Sequence, residues 1–124
     1  MDQNIVVKSG HALIRAMDSA NFSPRIAMWV HNSETNTWKL WIVPPVSLTD
    51  KREFYRKLAD IISKNRAELA GIDVSDTEMV LDSHPAMYGL GRSIRAPGLA
   101  IISFAGNRFD GFYLPDGIIL RSAL

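Results

Sequence analysis

Cysteine is absent from the 124-residue chain, which removes disulfides, thiol catalysis and thiolate metal sites together and fits a reducing cytoplasm. Strong charge of either sign is also missing: 14 basic residues stand against 13 acidic ones, for a formal net charge of +1. A dedicated nucleic-acid binder usually carries a larger surplus or a basic stripe, so bulk charge argues against that role. Long apolar runs are lacking. Stretches such as Leu99–Ile102 are far too short for a bilayer, and no membrane association is expected. Met1 precedes Asp2-Gln3-Asn4 where a signal peptide would place basic and then apolar residues.

Most catalytic signatures are missing as well. There is no phosphate-binding loop, nucleophile elbow, His-Glu-x-x-His or calcium loop. His11, His31 and His84 stand 20 and 53 residues apart, without ligand spacing. No metal or cofactor is expected. The composition, 47% hydrophobic and 22% charged, is that of a single globular domain spanning residues 1–124.

Residues 9–20 place Ala12, Leu13, Ala16, Met17 and Ala20 on one helical face, with Ser9 as cap and Pro24 beyond the end. Residues 25–44 alternate as a hairpin around the polar loop Asn32–Thr37, closed by Pro44-Pro45. Residues 50–69 predict a helix, with Asp50 and Glu53 as a capping box, Phe54, Leu58, Ile61, Ile62 and Leu69 buried, and Gly71 as the stop. A short strand at 78–82 precedes a helix at about 84–95 capped by Ser83 and weakened by Gly89 and Gly91.

The last 26 residues predict a three-stranded meander, with turns at Gly106-Asn107 and Pro115-Asp116-Gly117. Those turns set Leu99, Ile101, Phe112, Leu114, Ile118 and Leu120 on one face. Ala100, Ile102, Phe104, Phe109, Tyr113, Ile119 and Ala123 take the other. Both faces are apolar, which predicts cover on both sides. The expected class is α+β: about three helices packed on a mostly antiparallel sheet.

Two groups of residues are candidates for binding. Arg92, Ser93, Arg95 and Arg108 lie in a stretch without acidic residues, Ser83–Phe109, and Gly89 and Gly91 are nearby. Planar guanidiniums suit phosphate or carboxylate, although arginines near a helix end also complement the dipole without binding anything. In the hairpin, Trp29, His31, Lys39 and Trp41 alternate with the apolar set Ile26, Met28, Val30, Leu40 and Ile42. Two indoles among cations suit base stacking or a protein interface. The plainer alternative buries them beneath the first helix. Ser103, Asp110 and Ser122 would align across the meander, with Asp110 either a general base or an ion-pair partner of Arg108.

The leading expectation is a small, bacterial-type cytoplasmic, non-enzymatic protein that binds an unidentified protein partner and self-associates as a homodimer. The alternative is a nucleic-acid-binding protein or small metal-free nuclease with Arg92, Arg95, Lys39 and His31 on the phosphates or scissile group. An anion sensor built on Gly89–Arg95 is a third possibility. Clustering of the basic residues on one solvated face discriminates the first two.

Overall fold

Every residue from Ile26 to Val30 is buried, so the strand containing them has to be covered on both faces. The computed structural model describes residues 3–46, 48–69, 71–109 and 111–124. In chain order the elements are α1 (Gln3–Ser19), β1 (Ile26–Asn32), β2 (Thr37–Val43), α2 (Lys51–Lys64), β3 (Thr77–Met79), α3 (Pro85–Ser93), β4 (Ile102–Phe109) and β5 (Phe112–Ser122). The strands form one sheet in the order β3-β2-β1-β5-β4, antiparallel except for β2 and β3. This is the expected α+β class.

Two clusters flank the sheet. On one face Leu13 and Met17 of α1 and Phe54 and Leu58 of α2 pack on Trp29, Leu40, Ile42, Ile118 and Leu120. On the other, Ala86, Met87 and Leu90 of α3 pack on Ile26, Met28, Val30, Phe104 and Ile119. The helices cover both faces over β1 and the inner part of β5, but of the apolar C-terminal segment Leu99, Ile101, Phe112 and Tyr113 stay exposed.

Helix α1 starts at Gln3, six residues before the expected cap, and Ser9 lies inside it. The buried stripe extends back to Val6. Gly10 sits mid-helix because a side chain there would collide with the Trp29 indole and with Leu120. Helix α2 is capped by Asp50, which accepts from the Arg52 amide at 2.9 Å. Glu53 does not close a capping box; it pairs with Arg56 at 2.9 Å and Lys57 at 3.9 Å. The helix ends at Lys64, because Asn65 turns out of helical geometry and its side chain donates to the Ile61 carbonyl. Gly71, the expected stop, lies further on at φ +93°.

The cap of α3 is His84, not Ser83: its Nδ1 accepts the Ala86 amide at 3.1 Å, with Pro85 in the first turn. The C-terminal strands form one long hairpin of two strands where three shorter ones were expected. The chain reverses between Phe109 and Phe112, with Gly111 at φ +80°. The two expected turn sites lie inside strands. Gly117 is flat against the Phe104 ring and the Trp29 carbonyl, which leave no room for a side chain. Gly106, at φ +61°, breaks the alternation of β4, so Phe104 and Phe109 pack in the same cluster with ring centroids 5.6 Å apart. Leu114 accordingly joins the α3 side, away from Ile118 and Leu120, and the segment holding Leu99 and Ile101 is exposed and outside any strand.

A register shift between Ala27 and Met28 lies opposite Leu120. It lets consecutive residues of β5 face α1: Leu120 packs near Gly10, while Arg121 forms a two-pronged ion pair with Asp18 at 2.7 and 2.9 Å. The Arg121 hydrogen bonds hold the Asp18 carboxyl below its ordinary value of 3.8, against the opposing effect of partial burial; a hydrogen bond from Ser23 adds to the lowering.

Because the Asp18 pKa is depressed on folding, its stabilising contribution is complete above the ordinary carboxylate range. It is lost as pH falls below about 4 through the folded value. Asp18→Asn should cost about 1–3 kcal/mol at neutral pH and flatten the acid limb, as urea denaturation across pH 2–7 would measure; the side chain's partial exposure favours the lower end. Leu58→Ala, at a fully buried position, should cost about 2–5 kcal/mol. Arg56→Ala, at an exposed one, should stay within about 0.5 kcal/mol in the same assay.

Candidate functional site

The hairpin register decides which aromatic residues can act together. Trp29 stands opposite Leu40, and Met28 opposite Trp41, and directly opposed residues share a face. Trp29 and Trp41 therefore point to opposite sides of the sheet. Trp29 is 3% exposed and its indole donates to the Val6 carbonyl at 2.7 Å, so it lies beneath α1 and is closed to a base or partner. Trp41 is half-buried on the α3 side, edge-on to His84 at 5.6 Å. Lys39 is held by the Ser75 carbonyl.

His31 packs instead against Trp38, centroids 4.9 Å apart with the rings tilted by 42°, and its Nε2 meets the Asn36 Oδ1 at 3.0 Å. One row crosses four strands here: Trp38, His31, Asp116 and Ala105 are successive cross-strand neighbours. These four residues, with Ser103 and Phe104, line a groove of about 440 Å³ at the end of the sheet. Sequence reasoning missed Trp38 and Asp116. The signal was the strand register, which pairs both with His31.

A second cleft of about 370 Å³ lies where β3 leads into α3, walled by Trp41, Met79 and Leu81, with Lys51, Glu78 and His84 at its margin. The His84 ring also meets Phe112 at 4.8 Å. Since Nδ1 accepts the α3 amide, a neutral His84 carries its proton on Nε2. The third histidine, His11, contacts the Ala100 carbonyl at 2.8 Å.

The arginine candidates are divided between two places. Arg92 lies over the Tyr88 ring at 5.5 Å, and Ser93 donates to the Gly89 carbonyl at 3.0 Å. Arg95 follows the extended C-cap Ile94, so helical i,i+3 alignment with Arg92 is lost. This end of α3 meets the chain terminus, where Ser122 Oγ donates to the Ile94 carbonyl and Leu124 closes over Gly91. Gly89 is buried; the two glycines serve packing here and do not open backbone to an anion. Arg108 lies near the hairpin tip, over Tyr113 at 5.7 Å, and that tip meets the opposite end of α3 through Phe112 and His84.

Ser103 pairs with Ile118, while Ser122 is buried at the far end of β5, so the two serines do not align. Asp110 lies outside the described residues.

Other cations are ion-paired: Arg25 with Asp82, Arg56 and Lys57 with Glu53, Lys64 with Asp60, and the buried Arg121 with Asp18. Among the described residues, no helix is long and apolar enough to cross a membrane. No protein-family model, curated protein or solved structure matches the chain.

Cations already paired with carboxylates, and arginine candidates divided between two places, give a polyanion few simultaneous phosphate contacts. Fluorescence anisotropy with a labelled single-stranded oligonucleotide at low salt should show no binding. Saturable binding that Arg92→Ala/Arg95→Ala abolishes would instead assign a polyanion to the end of α3.

Proposed function

We propose that this chain is a small cytoplasmic, non-enzymatic interaction protein of bacterial type, working through strand addition at the free edge of β4, and that it self-associates there as a homodimer. The carrying observation is the contrast between the two sheet edges. At the β3 edge only three residues pair, and the outward amide of Met79 donates to the Tyr55 hydroxyl at 2.9 Å. That edge is short and covered. The β4 edge is eight residues long and has no neighbouring strand among the described residues.

A row of unpaired backbone donors and acceptors is a template for another strand. Main-chain hydrogen bonds then supply affinity, and side-chain pockets beside the edge supply selectivity. Apolar side chains flank this edge: Ile101 is 63% exposed, and Phe112 and Tyr113 stand out near the hairpin tip. The groove containing Trp38, His31 and Asp116 opens directly beside β4, sharing Ser103, Phe104 and Ala105 with it. The pairing of cations with carboxylates, and the separation of Arg108 from Arg92 and Arg95, favour this reading over nucleic-acid binding.

Sedimentation equilibrium from micromolar to submillimolar concentration is expected to show reversible dimerisation. Ile101→Asp, at an exposed position, should weaken it about tenfold without lowering the thermal midpoint of the monomer. A wild-type monomer at every concentration would overturn self-association.

A further inference from the structure

We infer that the second copy joins β4 antiparallel about a two-fold axis between Gly106 and Asn107, and that Arg108 of each copy pairs with Asp116 of the other. This rests on the self-association reading and adds its register and specificity. Phe104 and Phe109 both turn to the α3 side, so their neighbours Ala105 and Arg108 both turn to the α1 side. Arg108 lies over Tyr113, its cross-strand neighbour, with a long 3.4 Å hydrogen bond to the Gly111 carbonyl. Asp116, cross-strand from Ala105, is exposed and has no ion-pair partner among the described residues.

Directly opposed residues in a ladder share a face. A regular strand on a two-fold axis therefore pairs only residues an even number apart. The change of face at Gly106 makes an odd register the coherent one across this strand. Placing the axis between Gly106 and Asn107 sets Ala105 opposite the partner's Arg108, and Phe104 opposite the partner's Phe109.

The partner's Arg108 then starts roughly 9–10 Å from Asp116, two inter-strand spacings away. Only the Ala105 methyl lies between. An extended arginine crosses it and meets the carboxylate beside His31. Symmetry forms the same pair again, so the edge is complementary in charge to itself. Each exposed Ile101 is carried toward the partner's hairpin tip, where Phe112 and Tyr113 are exposed.

Charge reversal tests the register. Sedimentation equilibrium would compare wild type with Arg108→Asp, Asp116→Arg and the double reversal, with thermal midpoints recorded for each. Each single reversal should weaken dimerisation about tenfold, by converting two attractive pairs into two repulsive ones, and the double reversal should return it to within about threefold of wild type. If either single reversal disturbs the monomer, Arg108→Ala and Asp116→Asn replace them, with about threefold weakening expected. A wild-type dimer indifferent to every one of these changes overturns the register and leaves edge pairing standing. A wild-type monomer overturns both.

Discussion

Burial of β1 on both faces is the constraint from which the rest of the architecture follows. Its run Ile26–Val30 is buried throughout, so neither side of this strand can face water. The helices divide accordingly, α1 and α2 over one face and α3 over the other. The indole of Trp29 anchors the first arrangement by reaching the backbone of α1 itself. Gly10 is the matching concession on the helix, since a larger residue would push α1 off that indole. Burying an indole N–H without a partner would be costly, and the Val6 carbonyl meets that need.

The bends in the sheet place the polar groups that face α1 and the groove. The irregularity opposite Leu120 turns Arg121 toward α1, where strict alternation would have sent it to the other face. The positive φ of Gly106 likewise turns both Phe104 and Phe109 inward and leaves Ala105 and Arg108 outward. Bulges and glycine kinks commonly re-aim side chains at sheet edges. Here they lie beside the β4 edge and at the Asp18–Arg121 pair.

Much of the fold was legible because period and length speak clearly in long elements. The hairpin of residues 26–43 and the body of α2 stand where their apolar spacing predicts. The C-terminal hairpin was misread because Gly106 and Pro115-Asp116-Gly117 carry turn chemistry yet sit in strands. The true reversal is marked by Gly111, at φ +80° between the paired Phe109 and Phe112. At Gly117 the glycine answers to a ring packed over it, a demand that comes from another strand. The indoles of the first hairpin were misassigned for a simpler reason. The loop length sets Trp29 opposite Leu40, and a reading strand by strand does not enforce that pairing.

By itself the sequence determined the class, the absence of thiol chemistry, and the three helices and two hairpin regions that its periodicities encode. Those properties depend on composition and on neighbours a few residues apart. Tertiary structure alone decided that His31 belongs with Trp38 and Asp116, that Trp29 is buried while Trp41 borders a cleft, and that Arg108 is remote from Arg92 and Arg95. Each of those outcomes depends on strand register and on which face a bend presents. A shift of one residue moves a side chain through the sheet to its other side.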